Sequence, residues 1–178
     1  MISLKKVKST IERFATYKYI IISVTILFLF LLLMRSKDGD YLDGRFFYNS
    51  NDAYKIISDL GVTGRSSYLS FLGLDFGIII FFSIIMLLVI AILLKKLKMN
   101  DKWTFVYLLP FARGICDTFE NILIIPILLN YPERLNVIAN IASIMTGLKW
   151  ILMIIMMIHI ITLAVMLLVK SIICKFID

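Results

Sequence analysis

The sequence has few of the residues that most often carry catalysis. Its 178 residues include one histidine and two cysteines, Cys116 and Cys174, which form no CxxC pair. This disfavours a thiol–disulfide oxidoreductase, a structural disulfide and a histidine-based zinc or di-iron site. The chain also lacks a GxSxG nucleophile elbow, a glycine-rich phosphate loop and an HExxH helix. We therefore predict no metal and no cofactor, and no catalytic residue can be assigned.

Charged residues are scarce as well. They make up 17% of the chain, against 61% hydrophobic residues and a mean hydropathy of +0.95. Soluble domains are about one quarter charged and one half apolar. The composition therefore predicts an integral membrane protein, with residues 1–178 forming a single membrane domain and no room for a separate soluble enzyme.

Long apolar runs are what the sequence has instead. A hydrocarbon core of about 30 Å needs roughly 20 residues of helix to cross it. Four runs are long enough, and they predict an all-α, membrane-embedded four-helix bundle with spans at residues 17–34, 69–94, 103–130 and 138–173.

The basic residues predict the orientation of these spans. Lys and Arg concentrate on the cytoplasmic side of membrane proteins. Here they collect before the first span, between the second and third, and at the end of the fourth, which puts both termini in the cytoplasm of a multi-pass plasma-membrane protein. The net charge of +7 then favours anionic lipids at the cytoplasmic face and not nucleic acid. The residues are Lys5, Lys6, Lys8, Arg13, Lys18, Lys95, Lys96, Lys98, Lys102, Lys170 and Lys175.

The extracytoplasmic loop at 35–68 carries two local signals. The Asp-Gly pair in "YLDGRFFY" is typical of a tight hairpin, or of a turn without a stable hairpin. After it, Asn49 to Asp52 can cap a helix that ends at Gly61, with Ala53, Ile56, Ile57 and Leu60 at helical spacing. This predicts a short amphipathic helix on the outer membrane face, which either covers the bundle or acts as a lid.

The third span contains an unusual polar stretch, "RGICDTFEN". At 100° per residue, Arg113, Asp117, Glu120 and Asn121 fall within an arc of about 100°. A mid-span Arg or Asp costs roughly 2.5 to 3.5 kcal/mol, while a Leu, Ile or Phe returns only about 0.3 to 0.6. The polar face is therefore expected to point into the bundle, where its groups can pair.

Two further ionisable residues lie in the neighbouring spans. Counted inward from the outer ends at 1.5 Å per residue, Asp117, Glu120 and Lys149 are roughly 15 to 20 Å deep, and Asp75 is nearer the outer surface at roughly 9 Å. We therefore predict that Lys149 pairs with Asp117 or Glu120. The candidate polar site comprises Asp75, Arg113, Asp117, Glu120, Asn121 and Lys149.

Two functions fit this site. It can serve an amphiphilic substrate or the movement of protons or ions, because ionisable residues inside membranes usually mark such pathways. Alternatively the charges only fix helix register, in a non-catalytic bundle that assists a membrane-protein partner or forms a homo-oligomer.

Three segments carry a resemblance to a known group. "NDAYKIISDLGVTGRSSYLSFLGLD" leading into the second span, "DTFEN" in the third and "LKW" in the fourth resemble small four-span prokaryotic integral membrane proteins of unknown function. The resemblance covers residues from about 40 to 160. It implies the same four-helix architecture and no activity.

Overall fold

The computed structural model describes residues 4–34 and 40–177, and the described chain is helical with no β-strand. Two short 3-10 segments, Leu42–Gly44 and Asp101–Tyr107, interrupt the α-helices. The α-helices are α1 Leu4–Phe14, α2 Tyr17–Met34, α3 Ser50–Asp59, α4 Gly61–Leu97, α5 Leu108–Leu129 and α6 Asn136–Ile177.

Three of the described helices are long and apolar enough to cross a membrane, namely α2, α4 and α6. The fourth predicted span corresponds to α5, which has 22 residues but carries Arg113, Asp117 and Glu120. The all-helical class is thus confirmed together with three membrane-capable helices, while a membrane crossing by α5 stays a prediction.

Helix ends differ from the hydropathy-based bounds where polar residues continue a helix. The helix α4 begins at Gly61, not at residue 69, because its polar first turns were assigned to the loop. Gly61 has φ +63° and therefore allows α4 to follow directly after α3. The third predicted run, 103–130, begins as 3-10 helix, and α5 proper starts at Leu108. The predicted loop, 35–68, starts outside the described residues.

The loop that follows contains the predicted helix α3. The Asn49 side chain accepts a hydrogen bond from the Asp52 backbone N–H and so caps its N-terminus. Ala53, Ile56 and Ile57 are buried against the bundle, which is the face that the spacing predicts. Its placement on a membrane surface stays a prediction. The Asp-Gly turn is a 3-10 turn, and the described part of the loop forms no hairpin.

Helix α4 is the centre of the packing. It contacts α2 on one side and α5 and α6 on the other, while α5 packs along α6. Helix α2 is peripheral, with Ser23 as its buried residue. Buried apolar side chains form one cluster around Tyr68 and Ile124 and another around Leu88 and Met156. Between these clusters, along α4, α5 and α6, lie five charged residues: Asp75, Arg113, Asp117, Glu120 and Lys149.

The basic segments meet at one end of the molecule. Lys8 Nζ lies 2.7 Å from Asp101 Oδ1, which joins α1 to the link between α4 and α5. At the same end Lys96 donates to Tyr17 Oη at 2.7 Å, and Lys170 donates to the Lys96 carbonyl at 3.3 Å. Segments that the charge pattern assigns to one side of the membrane are therefore neighbours in the fold.

Candidate functional site

Lys149 is the hub of the charged site. Its Nζ lies 2.6 Å from Glu120 Oε2 and 3.1 Å from Asp117 Oδ1, and it donates to the Asp43 backbone carbonyl at 3.2 Å. An ammonium has three N–H donors, so these contacts use all of them. The predicted pairing of Lys149 with Asp117 or Glu120 is confirmed, and both acids contact it.

The two acids are also bound on their other oxygens. Arg113 Nη2 lies 2.5 Å from Asp117 Oδ2, and Thr146 donates to Glu120 Oε1 at 2.8 Å. The Arg113 guanidinium sits 4.8 Å from the centre of the Phe82 ring, which adds a cation–π contact. Two cations and two carboxylates thus form a neutral cluster in which every carboxylate oxygen has a partner.

Asp75 joins the site through Asn121. The Asn121 amide donates to Asp75 Oδ2 at 2.8 Å, linking α5 to α4. This contact brings Asp75 to the level of Asn121, the residue after Glu120. The predicted position of Asp75 nearer the outer surface stays a prediction, because this hydrogen bond fixes its level relative to Asn121 and not relative to a membrane surface.

A cavity of about 220 Å³ lies against this cluster. It brings together side chains from α4, α5 and α6 with the turn at Leu42–Gly44. Glu120 and Asn121 are fully buried behind it. The lining residues are Asp43, Gly44, Asp75, Arg113, Asp117, Lys149, Trp150 and Met153.

The turn supplies a site residue that the sequence interpretation missed. Asp43 was not among the predicted site residues, yet it lines the cavity and its carbonyl accepts from Lys149. Tyr68, fully buried, donates to Asp43 Oδ1 at 2.9 Å and accepts from the Leu42 backbone N–H at 3.1 Å. The Asp-Gly signal marked the turn, but nothing in the local sequence indicated that it folds back onto α6.

Three hydrogen bonds fasten this segment along α6. Trp150 Nε1 donates to the Arg45 carbonyl at 3.1 Å, and the Tyr48 N–H donates to Ser143 Oγ at 2.9 Å. The Ser50 N–H donates to Asn140 Oδ1 at 3.1 Å. The loop is therefore held to α6 at three points, and its residues Asp43 and Gly44 form the loop wall of the cavity.

Asp43 and Asp75 differ from Asp117 and Glu120, because no Lys or Arg side chain of the described chain forms an ion pair with them. Within the part of the chain that the structure describes, neither carboxylate has an ion-pair partner within 4.0 Å. Burial raises the pKa of Asp43, although the nearby Lys149 charge and the Tyr68 hydrogen bond oppose that rise. The charged form of Asp43 is therefore disfavoured by its surroundings.

Some buried polar atoms around the cavity also lack a partner. Arg113 Nε and Nη1 and Asn121 Oδ1 make no hydrogen bond to any described residue. A buried donor or acceptor without a partner costs roughly 1 to 3 kcal/mol. Such atoms in a native protein call for an explanation, and a bound group is one.

Metal-ligand clusters are not formed by these acids. Among the described residues, no group of three or more His, Cys, Asp or Glu side chains is arranged to hold a metal ion. Lys149 occupies the position between Asp117 and Glu120 that a cation would otherwise take.

Comparison of the chain with protein-family models, with curated proteins and with solved structures found no match.

Proposed function

We propose that this chain is a multi-pass membrane protein whose charged cavity binds the polar headgroup of an amphiphilic substrate. The observation that carries the proposal is the cavity of about 220 Å³, whose lining includes five ionisable side chains from three helices and a loop. Charges that serve only to hold helices together are expected to pack against each other without such a space.

The proposed membrane arrangement has four spans, α2, α4, α5 and α6, with both termini in the cytoplasm. It is supported by the clustering of Lys8, Lys96 and Lys170 at one end of the fold. That end would face anionic lipids. The cavity and α3 would then lie toward the outer side. The resemblance to small four-span membrane proteins agrees with this architecture.

The alternative is a bundle whose charges only assemble it, alone or with a membrane-protein partner or a second copy. The contacts of Lys149, Asp117 and Glu120 favour it, because all three N–H donors of Lys149 and every carboxylate oxygen already have a partner within the fold. This alternative does not explain the cavity or the two acids, Asp43 and Asp75, that have no ion-pair partner in the described chain.

A cysteine at Gly44 tests the proposal directly. A Cβ at Gly44 meets no atom within 4 Å, so Gly44→Cys should fold normally while lining the cavity. It would be made after replacing Cys116 and Cys174, the two native cysteines. Labelling with a small water-soluble maleimide would be followed in the presence and absence of native membrane lipids.

Lipid should slow labelling of Gly44→Cys but not of Val62→Cys, a control at the exposed start of α4. Equal labelling rates with and without lipid would favour the assembly alternative and overturn the proposal.

A further inference from the structure

The cavity carries unbalanced negative charge when Asp43 and Asp75 are ionised. Lys149 and Arg113 are matched by Asp117 and Glu120 in the ion pairs described above. Asp43, from the loop, and Asp75, from α4, remain; both line the same cavity and have no ion-pair partner in the described chain. An anionic ligand would add a third negative group to this space.

The unpartnered atom beside Asp75 is an acceptor, whereas the unpartnered Nε and Nη1 of Arg113, on the same cavity, are donors. Asn121 is fully buried and donates its amide to Asp75, which leaves its Oδ1 with no donor among the described residues. Asp75 is bonded through Oδ2, and Asp43 through Oδ1. The region therefore offers carboxylate and amide oxygens to a donor-rich group.

Resting on the proposed function, we infer that the ligand's headgroup carries a primary amine, whose ammonium is held between Asp43 and Asp75. An ammonium carries three N–H donors and one positive charge, which match the carboxylates of Asp43 and Asp75. The indole of Trp150 also lines the cavity; one cation, Lys149 Nζ, already lies 5.8 Å from the centre of this ring, and aromatic faces favour cations. A bare metal ion fits less well, since the described acids form no metal-ligand cluster.

The fluorescence of Trp150 can report binding of a ligand in the cavity. The chain has two tryptophans, and Trp103 lies at the opposite end, in a small pocket with Lys8 and Glu12. Trp103→Phe therefore leaves Trp150 as the only indole. Its fluorescence would be titrated in the full-length protein in detergent with free phosphoethanolamine and with short-chain phosphatidylethanolamine, phosphatidylcholine and phosphatidylglycerol.

Phosphatidylethanolamine should give a saturable change, and phosphatidylglycerol should bind more weakly by about tenfold or more, the equivalent of one lost charge-assisted contact. If free phosphoethanolamine binds as tightly as the lipid, the ligand is a soluble amine. If only the lipid binds, the ligand comes from the membrane. Phosphatidylcholine, which has no N–H donor, should also bind more weakly.

Two variants each remove one negative charge from the cavity and should keep the fold. Asp75→Asn keeps an acceptor for the Asn121 amide, and Asp43→Asn changes the loop wall instead of a helix. Each should weaken phosphatidylethanolamine binding by about tenfold. Asp59→Asn, at the exposed end of α3, is the matched control and should leave binding unchanged.

Failure of the amine inference and failure of the proposed function would give different results. Tighter binding of phosphatidylglycerol, or a response to Mg²⁺ alone, would overturn the amine inference but would keep the proposal that the cavity binds a ligand. No saturable response to any headgroup would overturn the amine inference and the proposed function together.

Discussion

Asp117 is the residue on which the charged cluster depends most. Its two carboxylate oxygens contact different cations, Lys149 at 3.1 Å and Arg113 at 2.5 Å, and its side chain is only 3% exposed. Removing its charge leaves two buried cations with a single carboxylate, Glu120, between them. The cost of an unpaired buried charge, not the strength of either contact, decides the outcome.

Asp117→Asn should therefore destabilise the folded protein by about 3 to 5 kcal/mol, the usual cost of breaking a buried ion pair. Asp75→Asn is the matched comparison, because Asp75 has no ion-pair partner in the described chain and the hydrogen bond from Asn121 can persist. Its stability should change by about 1 kcal/mol or less. Unfolding in mixed detergent micelles would measure both, and equal losses would contradict this assignment.

Residue spacing predicted the charged face but not the whole site. A period of 100° per residue put Arg113, Asp117 and Glu120 on one side of α5, and the cost of isolated charges required them to face partners. Asp43 and Tyr68 were not foreseeable in this way, because their positions depend on a loop folding back over α6. Such contacts join residues far apart in sequence, and periodicity within a helix carries no information about them.

At the scale of elements, the loop wall depends on side chains of α6 that accept backbone hydrogen bonds. Ser143, which is buried, accepts from the Tyr48 N–H, so removing its hydroxyl leaves a buried donor without a partner. Ser143→Ala should cost about 1 to 3 kcal/mol. Ser70→Ala is the control, since Ser70 is exposed and bonds only to the Ser66 carbonyl of its own helix. Thermal unfolding would compare them, and a stable Ser143→Ala would show that the wall is held by other contacts.

Helix α5 is expected to depend on its neighbours for insertion. Its three charged residues would together cost roughly 7 to 11 kcal/mol in an isolated span, more than its apolar residues readily return. A segment covering α5 alone should insert poorly in a glycosylation-reporter assay, and replacing Arg113, Asp117 and Glu120 by Leu should restore insertion. Efficient insertion of the unaltered segment would contradict the need for pairing with α6.

Hydropathy located the helices better than their ends. The run at 17–34 matches α2, but α4 extends outward to Gly61 through residues such as Thr63 and Arg65 that an apolar window excludes. Helical hydrogen bonds continue through polar residues, so the end of an apolar run marks where a helix can leave the bilayer and not where it stops.

At the scale of the whole molecule, the arrangement of basic segments makes the topology testable. Lys55 on α3 and Lys102 before α5 are both exposed and lie in segments assigned to opposite sides. In a chain without native cysteines, Lys55→Cys should react with an impermeant maleimide in intact cells, whereas Lys102→Cys should react only after permeabilisation. The reverse pattern would invert the orientation, and reaction of both in intact cells would put the two segments on the same side and so remove α4, which lies between them, as a crossing.

The central claim is that the charged cavity holds a ligand, and an experimental map of the protein in lipid would test it most directly. The account predicts non-protein density in the space between Asp43, Asp75 and Trp150, with Lys149 still bound to Asp117 and Glu120. A closed space, in which Asp43 and Asp75 pair with cations of the chain itself, would contradict it.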